Sequence, residues 1–550
     1  MQIVNSYRIG DKVKQKILRH VGIAMNDEEE QKLRDLAQDI IAKMLKEEAA
    51  QQPQLELFDA SKEELSAFLK RTASKKAGRP AKKTIKDVIP PEQVTLDMIV
   101  ERERIIEGVH DIGGQVYEEL GYHQILKKKR DNELLRDLVL TRLVFPVSKR
   151  KTQHLLENQF GKSHDLDALY LTMDKLFDQI DEVKKLTFTR THSLFPERVD
   201  LVLFDVTTLY FESIETDEIR QFGYSKDCRF NTTQVVLALA TNGDGLPIGY
   251  ELFEGNKAEV KTLIAAIEHW QTLFKIGSVC FVGDRAMFSK QNMTLMEEKG
   301  YQYIVAAKLR VLSDAVQNEI LNEIHYHPAV LGDKFAWVGE FKHESRRLIV
   351  SYKKERALKD IADRGRVLEK IAKMIGERGQ TQKLITNQGV KKFTKTDPNS
   401  HTEIDENKIM QDALWDGLHG IITNIKEEKS EALISRYSRL WMIEEAFRIN
   451  KHTLKMRPIY HWSPKRIHSH VAICYMTFSV LRHLQYRLNL TQKISVESVI
   501  EELCGVQSSI YAHKKTGDRY RVPGRLTNIA RKIYKAFNLE RSPDAAVYLT

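Results

Sequence analysis

The chain has 550 residues, more than a single hydrophobic core ordinarily serves, so several domains are expected. Its 42% hydrophobic and 29% charged residues exclude a chain that is disordered or collagen-like throughout, and a net charge of +10 suits a polyanionic partner. Cys228, Cys280, Cys474 and Cys504 form no Cys-x-x-Cys pair and no apolar run is long enough to span a bilayer, so a zinc knuckle, a disulfide framework and a membrane role are not expected, and a cytoplasmic setting is.

Residues 1–70 read as a short basic segment followed by helices, with an amphipathic stretch over 27–46. From 71 to 94 the chain becomes a basic linker, collecting Arg71, Lys75, Lys76, Arg79, Lys82, Lys83 and Lys86 around Gly78 and Pro80. Gly78-Arg79-Pro80 resembles an AT-hook, an arm for an AT-rich minor groove, although the composition suits a solvated linker at least as well. Residues 95–195 read as helical, with helices over 133–144 and 149–157 broken at Phe145-Pro146-Val147-Ser148. That pair is either a DNA-end-binding helix-turn-helix or an ordinary helical hairpin.

From 196 to 308 the periodicity changes. Strands over 199–204, 234–241 and 246–253, the last two joined by Asn242-Gly243-Asp244-Gly245, are followed by a helix over 259–274, a strand over 279–282, a helix near 290–299 and a strand over 303–307. This βββαβαβ order is the one found in ribonuclease-H-like cores, an analogy at the level of fold. The first strand delivers Asp205 after Leu201-Val202-Leu203-Phe204, and a later one delivers Asp284 after Val279-Cys280-Phe281-Val282-Gly283. A single strand-end aspartate is commonly a turn or cap residue, but two on neighbouring strands point to a site.

The third carboxylate candidate is Glu444, in a stretch from 437 to 451 that has no Gly or Pro and reads as one helix. At about 100° per residue, Tyr437, Trp441, Glu444, Arg448 and Lys451 share one stripe and Glu445 stands off it. Without context this is a solvated face with Glu444 paired to Arg448. Beside two aspartates it completes a cluster whose mutual repulsion calls for divalent cations, Mg²⁺ or Mn²⁺. Two such ions about 3.5–4 Å apart are suited to phosphoryl transfer.

These residues resemble the DDE transposases of bacterial insertion sequences, in the ribonuclease-H-like branch with a Tyr-x2-Arg-x3-Glu-x6-Lys signature. The resemblance rests on the register of Tyr437, Glu444 and Lys451, on Phe204-Asp205-Val206-Thr207-Thr208-Leu209-Tyr210-Phe211, on Gly223-Tyr224-Ser225-Lys226-Asp227, on Gly255-Asn256 and on Val282-Gly283-Asp284-Arg285. It implies an α/β protein with a ribonuclease-H-like core and flanking, mainly helical domains. It also implies that Asp205, Asp284 and Glu444 are the metal-binding catalytic triad with two ions, and that Tyr437 and Lys451 contact DNA, with Arg448, Arg439, Lys226 and Arg285 as further DNA-binding candidates. Leu440 stands where the signature has arginine, leaving Arg436, Arg439 and Arg448 as replacements. The long interval between Asp284 and Glu444 implies a mainly β insertion over 309–430, followed by the rest of the core over 431–490 and a helical C-terminal region over 491–550.

The implied activity is cleavage and joining of the element's own terminal inverted repeats into target DNA, by a homodimer assembled on DNA in the bacterial cytoplasm near the nucleoid. A ribonuclease-H-like nuclease without strand transfer and a transposon-derived DNA-binding protein are the alternatives. Trp337 reads as a core residue rather than a base-stacking one, and His468 and His470 as packing rather than metal ligands, since a helix would point them to different faces.

Overall fold

The computed structural model describes residues 2–9, 12–20, 89–193, 201–223, 231–274, 279–284, 288–376, 391–396, 402–489 and 495–548. The chain divides into two units, Met1–Ile85 and Lys86–Thr550. The first shows an antiparallel hairpin of β1 (Gln2–Ile9) and β2 (Lys12–His20), so strands stand where the sequence suggested only a basic segment. The amphipathic stretch over 27–46 and the Gly78-Arg79-Pro80 segment lie outside the described residues.

The larger unit opens with β3 (Ile99–Ile106), then the helices α1 (Gly114–Glu119), α2 (Lys129–Val144), α3 (Lys149–Phe160), α4 (Leu166–Phe177) and α5 (Ile180–Ser193). Pro146 separates α2 from α3, and the Ser148 side chain accepts a hydrogen bond from the Lys151 backbone N–H to cap α3. The strands β4 (Leu201–Tyr210), β5 (Gln234–Asn242) and β6 (Pro247–Glu254) form an antiparallel meander. Asn242 Oδ1 closes the turn between β5 and β6 by accepting from the N–H groups of Asp244 and Leu246, at 3.0 and 2.9 Å. Next come α6 (Glu259–Phe274), β7 (Cys280–Gly283), α7 (Lys290–Glu298) and β8 (Gln302–Ala307). β7 pairs in parallel with both β4 and β8, which gives the local order β6-β5-β4-β7-β8. β4 and β5 are buried along nearly their whole length, which accounts for their unbroken apolar runs.

The insertion begins with α8 (Asp314–Ile320) and strands β9 (Tyr326–Leu331), β10 (Lys334–His343) and β11 (Arg346–Tyr352). A long helix, α9 (Lys354–Gly376), a small pair β12 (Thr394–Thr396) and β13 (Thr402–Ile404), α10 (Glu406–Ala413) and β14 (Leu418–Thr423) complete it. Its strands continue the core sheet: β14 pairs with β8, and β11, β10 and β9 follow outward, making nine strands in one sheet.

After α11 (Ser430–Ser438), α12 (Trp441–Arg448) and a π-turn over Ile449–Thr453 comes α13 (Pro464–Asn489). α13 is buried on nearly every face over its middle, against α2, α4, α5 and β6. The C-terminal region, expected to be helical, has α14 (Val496–Gly505) and α15 (Asn528–Ala536) but also β15 (Gln507–His513), β16 (Arg519–Pro523) and β17 (Ala546–Val547). These strands form a four-stranded sheet closed by β3, so the segment over 95–195 is not purely helical either. In β15, Ser508, Ile510 and Ala512 are buried and alternate with half-buried neighbours, the two-residue period that a helical reading overlooks. Among the described residues no helix is long and apolar enough to cross a membrane.

Candidate active site

β4 buries Val202, Leu203 and Phe204, and the chain then half-exposes Asp205, whose Oδ1 accepts the Val206 backbone N–H at 2.7 Å. Phe204 faces Gly283 across the parallel β4–β7 pair, so Asp205 and Asp284 are the next positions on two adjacent strands. Strands in a sheet lie about 4.8 Å apart, which makes the two aspartates neighbours by topology alone. Asp284 is exposed just past the end of β7.

Glu444 comes from α12, which buries Ile443, Ala446 and Phe447 and packs on β4 and β5 with Glu444 left exposed. Tyr437 links the pieces. Its phenol is pushed up to about 12, first by burial and then by the negative charges of Asp284 and Glu444, with Arg356 opposing. Both carboxylates therefore stand close enough to Tyr437 for their charges to be felt. Its ring lies 5.2 Å from that of His419 on β14, and burial together with Arg356 and Lys353 pushes His419 down to about 4.

The stretch over 437–451 is not one helix. Leu440 N–H bonds to Tyr437 O and Met442 N–H to Arg439 O, tightened three-residue contacts that interrupt the α ladder between α11 and α12. Tyr437 thus belongs to the last turn of α11, and a uniform stripe from Tyr437 to Lys451 does not exist. The alternative reading, Glu444 paired to Arg448, is not what forms: Arg448 bonds to Glu445 through both Nε and Nη2, at 2.7 and 2.6 Å. Arg436 pairs with Glu428 at 3.0 Å, and Arg439 lies against Gly243, where an added Cβ would meet its Nη1 at 2.9 Å. Lys451 holds its ammonium 6.0 Å from the centre of the Phe447 ring. Lys226 and Arg285 lie outside the described residues.

Among the described residues no three His, Cys, Asp or Glu side chains stand close enough together to hold a metal ion. The carboxylates share one end of the sheet without closing into a coordination cage. His468 packs edge-on against Phe177, and His470 Nε2 meets Met456 O at 3.0 Å. Trp337 is 41% exposed, rather than buried, with its ring edge-on to Phe335. Arg356, Lys308 and His419 carried no sequence signal: Arg356 reads as an ordinary helix-surface residue four positions before Asp360, and the other two lie at strand ends.

Residues 198–315 match the family model of the transposase DDE domain. This segment spans the meander, both aspartates and β8, and it supports a transposase domain of the DDE type in the chain. One solved structure, a cryo-EM structure of the piggyBac transposase synaptic complex with hairpin DNA, is similar at 9% identity with a TM-score of 0.37, over 72% of this chain and 77% of that one. That similarity is too distant to establish a shared fold. No match was found among curated proteins.

Proposed function

We propose that the chain is a DDE transposase that cuts the terminal inverted repeats of its own insertion sequence and joins them to target DNA by a cut-and-paste route. The observation that carries this reading is the register of β4 and β7, which makes Asp205 and Asp284 adjacent, together with Tyr437 sensing both Asp284 and Glu444. The local order β6-β5-β4-β7-β8 supports a ribonuclease-H-like core, and the match over 198–315 supports the chemistry.

In this reading Asp205, Asp284 and Glu444 are the catalytic carboxylates. Their hard oxygen donors suit Mg²⁺ or Mn²⁺ by chemistry, although they do not form a three-donor group as they stand. When bound, two such ions would neutralise the carboxylates and supply Lewis-acid assistance to phosphoryl transfer. The chain's own residues hold and orient the DNA. Tyr437, its phenol kept protonated well above neutral pH, donates a hydrogen bond to a phosphate oxygen, and Lys451 supplies a cation two turns beyond Glu444. The partner is double-stranded DNA, bound by a homodimer that brings two ends together.

The test is Mg²⁺-dependent cleavage and joining of a duplex carrying the repeats that flank the gene. Asp284→Ala is expected to lose both reactions by at least about a thousandfold while still binding the duplex. Wild-type binding without any chemistry would favour a DNA-binding protein instead, and cleavage without joining would favour a nuclease.

A further inference from the structure

The insertion and the end of β8 enclose a cavity in which five cationic side chains meet four aspartates. This cavity of about 610 Å³ is lined by Lys308, Arg356, His419, Leu309, Trp415 and other residues of β8, α9, α10 and β14. Its position follows from strand register. Val305 of β8 faces Gly283 of β7, and Ala307 faces Gly420 of β14, so Lys308 and His419 extend the same sheet edge on which Asp284 emerges. Arg356, in the first turn of α9, has a charge that reaches both Tyr437 and His419, and Tyr437 in turn senses Asp284 and Glu444.

The two cations are weakly engaged. Arg356 has its carboxylate partner, Asp360, at 3.9 Å, with the arginine side chain 48% exposed, and Asp360 also accepts the Gly417 backbone N–H at 3.0 Å. Lys308 is exposed and makes no ion pair among the described residues. The other cations of the cavity are held more closely: Arg364 is locked to Asp412 and Asp416, and Arg310 and Lys392 both bind Asp412. Two accessible, under-neutralised cations at the end of the sheet where Asp284 emerges make a two-signed surface. An anionic strand is held by one half while its reacting bond lies against the other.

We propose that Arg356 of the insertion and Lys308 at the end of β8 seat a backbone phosphate of the DNA strand beside Asp284 and Glu444. The proposal rests on the transposase reading, and it assigns the phosphate contact to α9 and the residue just past β8 rather than to Arg436, Arg439 or Arg448. Arg436 and Arg448 are already paired, with Glu428 and Glu445, and Arg439 lies against Gly243. His419, uncharged at neutral pH and with its ring tilted against that of Tyr437, adds no third positive charge.

The experiment is binding of the full chain to a duplex of the repeats flanking its gene, measured over a range of salt concentrations. Each phosphate contact contributes about 0.9 to the slope of log affinity against log salt. Arg356→Ala is expected to weaken binding about fivefold to tenfold and to lower the slope by about 1, while Arg356→Lys, which keeps the charge, restores the slope. Arg366→Ala, on the same helix but 73% exposed and paired with Asp363, should leave both unchanged. A slope in Arg356→Ala equal to that of the wild type, with binding and cleavage otherwise intact, overturns this assignment and leaves the transposase reading standing. Failure of the wild type to bind the duplex overturns both. A melting curve for Arg356→Ala that matches the wild type assigns the loss to contact rather than to folding.

Discussion

Lys149 is 3% exposed, and among the described residues its ammonium makes no hydrogen bond. Burial, with Arg142 adding to it, pushes it down to about 7. Arg142, on α2, donates to the carbonyls of Leu454 and Lys455 at 2.9 and 2.7 Å and so ties the helical domain to the turn that follows the Glu444 helix. Arg142 acts on Lys149, and Lys149, Arg142 and Arg466 act on His461; no carboxylate stands among these charges. A group whose folded value is depressed in this way contributes fully above its ordinary value of 10.5 and loses that contribution as pH falls through about 7. At neutral pH the buried amine therefore costs stability. Lys149→Met is expected to raise stability at pH 7 by on the order of a few kcal/mol, and the advantage should shrink above pH 10. Urea denaturation at the two pH values measures this, and a variant less stable at pH 7 would contradict it.

The strand meander shows what a motif glycine does. A Cβ on Gly255 would lie 2.0 Å from Gln234 O and 2.5 Å from Gln221 O, and one on Gly223 would lie 2.2 Å from Gly255 O. Three backbone segments meet where only hydrogen fits, and Gln234 Nε2 seals the crossing by donating to Gly255 O at 2.9 Å. Gly255→Ala is expected to cost roughly 3 kcal/mol or more, because the atoms in the way are backbone and cannot rotate aside. A chemical-denaturation midpoint within error of the wild type would refute it. These glycines were visible in the sequence as part of a family pattern, as were both aspartates, because each depends on a few neighbouring residues. The strands and helices over 201–307 were legible for the same reason, since each carries its own apolar period. The break between α11 and α12 was not. Arg439 and Leu440 are ordinary helix formers, and the interruption shows only in the four three-residue hydrogen bonds from Arg439, Leu440, Met442 and Ile443.

At the scale of the whole molecule, what escaped the sequence is what joins distant residues. β3 pairs with β15 across some four hundred positions, and Glu107 just past β3 is gripped by Arg521 and Arg541, a union no local pattern announces. The insertion likewise reads as a separate β domain, yet its strands extend the core sheet through β8 and β14, which is how Arg356 comes to face Tyr437. Acid should loosen this assembly at its enclosed histidines. Burial pushes His419 down to about 4, and His461 and His483 to about 3, from an ordinary value of 6.5. Each stays neutral in the folded chain while the unfolded chain takes up a proton, so its contribution is complete above pH 6.5 and is lost as pH falls toward 4 and then 3. His269 works in the opposite sense, raised by its hydrogen bond to Glu251, but it is partly exposed, and burial pushes His110, His468 and His470 down as well. Moving from pH 7.5 to 5 is therefore expected to lower stability by roughly 1–2 kcal/mol for each of the three enclosed histidines, seen as a fall in the denaturation midpoint. His461→Phe should flatten part of that dependence. A midpoint that holds or rises at pH 5 would mean that these rings are already charged in the folded chain.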